Sequence, residues 1–361
     1  MSLSIAIVGL PNVGKSTLFN ALTDAEALAA NYPFATIEPN TGIVPVPDPR
    51  LEVLKGIYSS EKVLPATVTF TDIAGLVAGA SKGEGLGNKF LANIRQCDAI
   101  VHIVRAFEND DIIRHDNGVV NPKNDIEIIN TELILADLQT IEKRQIALAK
   151  EAKAKPAARE QLEYIESLQR HLEGGTPLSA LPSLDHDMIA DLHLLTAKPV
   201  IYAFNVDEDT LAASDKKAAL TALVAPAASL FVCAKLEEEL KGLPPEDAHE
   251  LLASYGVEES GLEQMIHAAY DTLGLQSYLT AGPKEIRAWT IKKGDKAPQA
   301  AGVIHTDFEK GFIAAQVVDY DDLVAAGSEA AARNAGKLRT EGKEYEMQPG
   351  DVVEFRFNVT K

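Results

Sequence analysis

Cysteines and long apolar runs are both scarce in this sequence, and each shortage excludes a class of protein. Only 2 of the 361 residues are cysteine. Cys97 and Cys233 lie in apolar or helical segments rather than in a disulfide pattern, so we expect both to pack as small hydrophobic side chains. No apolar run approaches the length of a membrane span, and the first three residues lead directly into an apolar strand, which leaves no room for a signal peptide. We therefore expect a cytoplasmic protein with no membrane partner.

Basic residues are also in short supply. The sequence has 34 Lys and Arg against 53 Asp and Glu, a formal net charge of -19, whereas nucleic-acid phosphates attract clustered basic residues. The excess acid lies almost entirely before residue 278, because residues 278–361 hold 12 basic and 13 acidic residues. We expect no DNA partner, and this near-neutral segment predicts either an RNA contact or an ordinary solvated charged face.

A glycine-rich turn between an apolar strand and a helix opens the chain. The strand Ser4-Ile5-Ala6-Ile7-Val8 is followed by Gly9-Leu10-Pro11-Asn12-Val13-Gly14-Lys15-Ser16-Thr17, which has the spacing of a phosphate-binding P-loop. Backbone N–H groups and the positive end of the helix would hold a triphosphate there, with Lys15 on the β- and γ-phosphates and the Ser16 hydroxyl on Mg2+. The predicted nucleotide-binding residues of this loop are Asn12, Val13, Gly14, Lys15, Ser16 and Thr17.

Two further segments predict the rest of the Mg2+ and γ-phosphate site. A strand over residues 67–71 runs into Asp72-Ile73-Ala74-Gly75, where the carboxylate would hold Mg2+ through water and the glycine N–H would meet the γ-phosphate. Thr36 lies in the loop Asn31-Tyr32-Pro33-Phe34-Ala35-Thr36, and we predict that it ligates Mg2+ only while the γ-phosphate is present. The predicted catalytic residues are Lys15, Thr36 and Gly75, and the predicted metal ligands are Ser16, Thr36 and Asp72.

Base selection is predicted after a later strand, at Asn205-Val206-Asp207-Glu208. GTP-binding relatives carry N-K-x-D there, and its Asp accepts two hydrogen bonds from guanine. Val206 removes the lysine stem and Glu208 is one methylene longer, and losing a bidentate base contact costs roughly 1–3 kcal/mol of discrimination. The predicted base-binding residues are Asn205, Val206, Glu208, Ala234 and Lys235, the last two in a loop that closes over the base. The sequence thus predicts ATP as substrate, with GTP bound more weakly.

Strand-like runs at residues 67–71, 99–104, 199–204 and 229–232 alternate with amphipathic helices, which predicts an α/β fold with a doubly wound, mainly parallel sheet. Two helical stripes separated by Lys155-Pro156 predict an inserted α-helical hairpin. We assign residues 1–124 and 187–277 to a nucleotide-binding domain, 125–186 to the hairpin and 278–361 to a C-terminal domain.

The sequence pattern of the C-terminal segment predicts short strands separated by glycines. Strands are predicted over residues 286–291, 302–305, 312–318 and 352–359, with one helix near residues 321–327. This segment resembles a TGS domain, which implies a β-grasp fold.

The chain as a whole resembles the YchF subfamily of Obg-like ATPases, within the translation-factor-related class of P-loop proteins. The likeness covers essentially the whole length and rests on the P-loop, Asn31-Tyr32-Pro33-Phe34, Asp72-Ile73-Ala74-Gly75-Leu76-Val77, the Asn205-x-x-Glu208 variant and the C-terminal domain. It implies hydrolysis of ATP in preference to GTP, association with ribosomes through rRNA or ribosomal proteins, and a role in translation or stress regulation.

Several alternatives stay open at this stage. Leu76 stands where Ras-like enzymes carry a water-positioning glutamine, which predicts slow intrinsic hydrolysis. Asn12 is either a K+ ligand or a loop cap, and His115 is either an auxiliary group or an exposed loop residue. Two functions remain as alternatives to an ATPase. The chain is a GTPase, or it is a nucleotide-gated module that binds RNA or the ribosome and that hydrolysis only resets.

Overall fold

The computed structural model describes residues 3–23, 40–73, 86–109 and 119–358. The chain forms two compact units. The first consists of Met1–Leu28, Phe34–Ile43 and Thr69–Thr272, and the second of Ala29–Pro33, Val44–Val68 and Leu273–Lys361. The second unit therefore includes residues 44–68, which the sequence analysis assigned to the nucleotide-binding domain.

The described strands are β1 Ser4–Val8, β2 Thr41–Pro45, β3 Lys62–Leu64, β4 Thr67–Asp72, β5 Ala99–Ala106, β6 Val200–Val206, β7 Ala228–Val232, β8 Leu275–Ala281, β9 Glu285–Lys292, β10 Phe312–Asp319, β11 Arg339–Glu341 and β12 Asp351–Phe357. The described α-helices are α1 Lys15–Leu22, α2 Arg50–Tyr58, α3 Leu86–Gln96, α4 Pro122–Glu151, α5 Pro156–Glu173, α6 His186–Ile189, α7 Glu208–Ala212, α8 Ser214–Ala222, α9 Ala234–Leu240, α10 Pro245–Ser254, α11 Gly261–Thr272, α12 Ala297–Ile304, α13 Thr306–Lys310, α14 Tyr320–Ala326 and α15 Glu329–Asn334. None of these helices is both long and apolar enough to cross a membrane.

The first sheet has six strands in the order β2-β4-β1-β5-β6-β7. Strands β4, β1, β5, β6 and β7 pair in parallel with their neighbours. Its central strands are almost continuously buried, as apolar strands covered on both faces should be. The predicted α/β fold with a mainly parallel sheet is confirmed. The carboxyl ends of β1, β4 and β6 lead into the P-loop, Asp72 and Asn205, and ligands collect at this edge of such sheets.

The predicted helical hairpin is also confirmed. Helix α4 begins after Asn121, whose side chain caps it by accepting from the Asn124 N–H. Only four residues separate α4 from α5, and Pro156 lies in the first turn of α5, where its missing N–H costs nothing. Both apolar stripes enter one buried cluster, whose core includes Ile134, Ile141, Leu148, Ile165, Leu168 and Leu172.

A single buried carboxylate links the hairpin to the segment that follows it. Asp137 on α4 is fully buried and accepts hydrogen bonds from the backbone N–H groups of Leu195 and Thr196 at 2.8 and 2.7 Å. The Thr196 hydroxyl donates to the same carboxylate. Burial raises the pKa of Asp137, and these hydrogen bonds oppose that rise by stabilising the charged form.

The second sheet also has six strands, in the order β11-β10-β12-β8-β9-β3. It is mixed: β8 and β9 are antiparallel, whereas β12 with β8 and β3 with β9 are parallel. The core of this unit surrounds Tyr278, which is fully buried and donates its hydroxyl to the Ala300 carbonyl at 2.9 Å. Helix α12 packs in the same cluster through three alanines, so a sheet covered by a helix forms the predicted C-terminal fold.

One element predicted in the C-terminal segment is wrong. Residues 302–305 are not a strand, because residues 297–304 form helix α12. Pro298 occupies the first turn, and the Gln299 side chain accepts from the Lys296 backbone N–H at 2.8 Å. This start signal, together with the run of alanines, outweighs the β-preference of Val303 and Ile304.

Candidate nucleotide site

The P-loop connects β1 to α1, and its glycines are required by close packing. Gly14 precedes the helix with a φ of 91°, a left-handed conformation, and a Cβ there would lie 2.4 Å from Asn205 Nδ2. A Cβ on Gly9 would lie 2.8 Å from the Ile103 carbonyl oxygen. Larger residues would therefore push the loop away from the sheet edge. Asn12 is also left-handed, with a φ of 63°.

Lys15 and Asp72 meet at the sheet edge. The Lys15 ammonium contacts the Asp72 carboxylate, and the lysine is only 8% exposed. Parallel pairing of β1 with β4 aligns Ile7 with Asp72, which brings the strand end beside the P-loop. Ser16 lies on the exposed first turn of α1. The predicted cation, carboxylate and hydroxyl thus lie on the elements that flank one edge of the sheet.

Asn205 links the P-loop to the start of α9, because Ala234 and Lys235 form the first turn of that helix and not the predicted loop. Its side chain is buried, donates to the Val13 carbonyl at 2.9 Å and accepts from the Ala234 N–H at 3.3 Å. The amide thus holds together two of the predicted binding segments and satisfies its own polar atoms in doing so.

Glu208 forms an ion pair with Lys235. The Lys235 ammonium lies 2.5 Å from Glu208 Oε1, and this hydrogen bond lowers the pKa of Glu208. The neighbouring Asp207 has a different task, since its side chain caps α7 by accepting from the Thr210 N–H at 2.8 Å. Asp207 therefore serves as a helix cap. Its distance along the chain from Asn205 also does not match that of the Asp in N-K-x-D.

These segments surround a cavity of about 480 Å³. Predicted residues that line it are Asn12, Gly14, Thr17, Asn205, Val206, Glu208, Ala234 and Lys235. Val13 contributes its carbonyl to Asn205, whereas Lys15, Ser16 and Asp72 are not among the lining residues. The cavity is thus assembled chiefly from the loop that precedes α1 and the segments after β6 and β7.

Among the lining residues, sequence reasoning discounted Asp207 and missed Glu238, and it also missed the loop residues Phe107, Glu108 and Asn109. These three loop residues follow β5 directly, so the rule that ligands collect at carboxyl ends of strands could have found them. The buried Arg105 holds this loop by donating to the carbonyls of Phe107 and Asn109 at 3.2 and 3.1 Å. Its guanidinium also lies 4.6 Å from the centre of the Phe107 ring.

Thr36 and Gly75, together with Leu76 and His115, lie outside the described residues. The roles predicted for these four residues, in the switch, in hydrolysis and as an auxiliary group, therefore stay predictions.

Two family profiles match the chain. One, described as "50S ribosome-binding GTPase", matches residues 4–150. The other is a C-terminal YchF-GTPase profile described as "Protein of unknown function (DUF933)", and it matches residues 275–358.

Curated relatives match over almost the full length. A Bacillus subtilis protein named "Ribosome-binding ATPase YchF" is 52% identical over 99% of this chain and 100% of its own length. A protein of the same name from Escherichia coli O157:H7 is 51% identical over the same shares. A solved structure described as the Schizosaccharomyces pombe YchF GTPase is 40% identical, covers 98% of both chains and superposes with a TM-score of 0.86. By this full-length identity and shared fold, the chain belongs to the YchF family.

Proposed function

We propose that this chain is a ribosome-binding ATPase that cleaves the γ-phosphate of ATP. The curated relatives carry that name at about half identity over nearly the full chain. The P-loop and the adjoining 480 Å³ cavity supply a place for phosphates and for a base. Because Leu76 replaces the glutamine of Ras-like enzymes, we expect a low intrinsic rate.

The Glu208–Lys235 ion pair is the observation that supports ATP over GTP. A guanine-specific carboxylate must be free to accept from two N–H groups of the base. Here the Lys235 ammonium contacts Glu208 Oε1 and competes with those N–H groups for this oxygen, and Val206 cannot supply the lysine stem. Adenine offers no such pair of donors and loses nothing at this site. GTP is therefore proposed as the weaker ligand.

Mg2+ is the proposed metal, held by Ser16, Thr36 and Asp72. Hydroxyl and carboxylate oxygens are the ligands that this hard cation prefers, and the Asp72 carboxylate already faces a positive charge, the Lys15 ammonium. When bound, Mg2+ neutralises charge on the phosphate oxygens. Lys15 supplies a second positive charge to the β- and γ-phosphates, and the Gly75 N–H is proposed to donate to the γ-phosphate. Asn12, which lines the cavity, is the candidate residue for a K+ beside the phosphates.

The alternative function is that of a GTPase, or of a binding module that hydrolysis only resets. The words GTPase in the matched N-terminal profile and in the description of the S. pombe structure favour the first. The ion pair at Glu208 opposes it.

Binding of ATP is proposed to order Thr36 and the loop after Gly75, and so to change how the chain meets the ribosome in the cytoplasm. The proposed parts are a nucleotide-binding domain of residues 1–124 and 187–277, a hairpin of residues 125–186 and a C-terminal domain of residues 278–361. The near-neutral C-terminal domain is the proposed docking element, through rRNA or ribosomal proteins.

The test combines hydrolysis with ribosome cosedimentation in the presence of ATP, ADP and a non-hydrolysable ATP analogue. Lys15→Ala should lower Mg2+-dependent hydrolysis at least 100-fold, because both the phosphate contact and its charge are lost. Lys55→Ala is the matched control, since Lys55 is an exposed helix residue whose ammonium pairs with Glu52. Normal turnover by the Lys15 variant would contradict the site, and equal cosedimentation in every nucleotide state would contradict the switch.

A further inference from the structure

The second unit contains a cleft of about 650 Å³ that shares no described lining residue with the nucleotide cavity. Its walls include Ile304, Phe308, Val353 and Phe355. Phe308 stacks on Phe357 with ring centres 3.7 Å apart, which holds this aromatic wall in place. The cleft therefore offers apolar contact area, and its lining also includes charged residues.

Three carboxylates line the cleft, those of Glu285, Glu329 and Glu354, against a single lysine, Lys284. Two of these carboxylates form ion pairs. A guanidinium nitrogen of Arg287 lies 3.9 Å from the Glu285 carboxylate, and one of Arg333 lies 2.8 Å from the Glu329 carboxylate. Glu354 is exposed and forms no ion pair within the ranges that the structure describes. The lining is therefore net negative and includes one carboxylate with an available charge.

A smaller cavity of about 30 Å³ adjoins the cleft and shares Tyr58, Glu329 and Glu354 with it. Gln316 lines this cavity, and its Oε1 is buried and has no hydrogen-bond partner among the described residues. Such a buried acceptor destabilises the fold until a donor reaches it. The hydroxyl of Tyr58 also has no partner in the described part of the chain, and burial together with Glu329 and Glu354 raises its pKa to about 12. Acceptors thus outnumber donors around the joined cavities.

We propose that this cleft binds a lysine or arginine side chain of a partner protein, with apolar neighbours of that side chain against Phe308 and Phe355. Ammonium and guanidinium groups only donate hydrogen bonds, so they match an excess of acceptors. Aromatic walls beside the carboxylates add cation–π attraction for the same groups. An RNA phosphate would be repelled by Glu354, whose charge no arginine of the described residues offsets, and would find a single lysine in the lining, so the fitting partner is a basic protein segment. This site does not depend on the proposed ATPase activity.

A fluorescein-labelled octapeptide of alternating leucine and arginine is a suitable probe, measured by fluorescence anisotropy with the full chain in 150 mM salt. The double substitution Glu329→Gln and Glu354→Gln should weaken binding at least tenfold. Glu346→Gln removes one carboxylate charge from an exposed residue outside the cleft lining, which makes it the matched control for Glu354→Gln, and it should change binding less than twofold. Thermal melting of all variants checks folding, and Glu354→Gln alone serves if the double variant melts early.

The same octapeptide with glutamine in place of arginine should bind at least tenfold more weakly. The proposal is overturned if the wild-type chain does not bind the arginine peptide. It is also overturned if the cleft variants bind it as the wild type does, or if Glu346→Gln weakens binding equally, which would indicate attraction to the net charge alone.

Discussion

The carboxylate of Glu208 contacts Lys235 in the lining of the nucleotide cavity, and we propose that this arrangement disfavours guanine. Asp in N-K-x-D is short enough to stay beside the base, whereas the longer Glu208 reaches Lys235, which lies after the next strand. The Glu208 side chain is 28% exposed and that of Lys235 is 68% exposed, so water screens the pair strongly and it directs the carboxylate more than it stabilises the fold.

We expect Glu208→Asp with Val206→Lys to move the preference toward GTP by roughly 1–3 kcal/mol, since a shorter carboxylate and a lysine stem restore the guanine contacts. Val206 is only 2% exposed, so the new ammonium must extend into the cavity, and thermal melting is needed as the folding control. Calorimetric titration of ATP and GTP measures the shift. An unchanged ratio of the two dissociation constants in a folded variant would exclude Glu208 and Val206 as selectivity residues.

Much of the site could be predicted from sequence because its residues follow recognisable strands at fixed spacing, as Lys15 and Asn205 do. The loop at residues 107–109 was missed because it carries no motif; its position depends on the buried Arg105, whose two carbonyl partners are visible only in the folded chain. The pairing of Glu208 with Lys235 was missed for a similar reason, since 27 residues separate the two charges.

At the level of elements, the hairpin depends on the cluster between α4 and α5. Leu148 is 1% exposed within that cluster, so Leu148→Ala should lower the free energy of unfolding by about 2–5 kcal/mol through the cavity it leaves. Ile146 lies two residues away and is 65% exposed, so Ile146→Ala should cost less than about 0.5 kcal/mol. Urea unfolding followed by circular dichroism compares them, and equal losses would contradict the assigned faces.

A second prediction concerns Glu237, which connects α9 to α11. Glu237 is 4% exposed and accepts from the Gly261 N–H at 2.6 Å, and burial raises its pKa from 4.5 to about 7. Between those values the folded chain retains a proton that the unfolded chain has lost, so stability falls as pH rises from 4.5 to 7. The Glu237→Gln variant, which cannot ionise, should gain up to about 3 kcal/mol relative to wild type over this window.

Urea unfolding of both proteins at several pH values measures that difference. Burial lowers the pKa of His102 to about 3, so His102 destabilises the fold as pH falls, but it does so in both proteins and cancels in the comparison. A difference that does not change with pH would mean that Glu237 ionises at its ordinary pKa.

The elements themselves were predictable to different degrees. Five strands of the first sheet are apolar runs that need no knowledge of their partners, and they were predicted closely, whereas β2 was not predicted. In contrast, β3 is a three-residue strand whose pairing with β9 joins positions such as Lys62 and Glu285, and no local signal predicts so distant a contact.

At the scale of the whole molecule, the second unit combines residues 44–68 with the distant residues 273–361. Leu51 and Leu54 on α2 are buried at 3% and 0% exposure, and their segment belongs to the same unit as residues 273–361. A chain truncated near residue 275 would therefore expose part of this unit's apolar surface. Ribosome docking by the C-terminal domain is thus better tested with substitutions in the full chain than with truncation.

The central claim is a nucleotide site that selects ATP, and it is tested most directly by calorimetric titration of the wild-type chain with ATP and with GTP in the presence of Mg2+. The account predicts that ATP binds at least tenfold more tightly, a difference of about 1.4 kcal/mol. A tenfold or greater preference for GTP would contradict it.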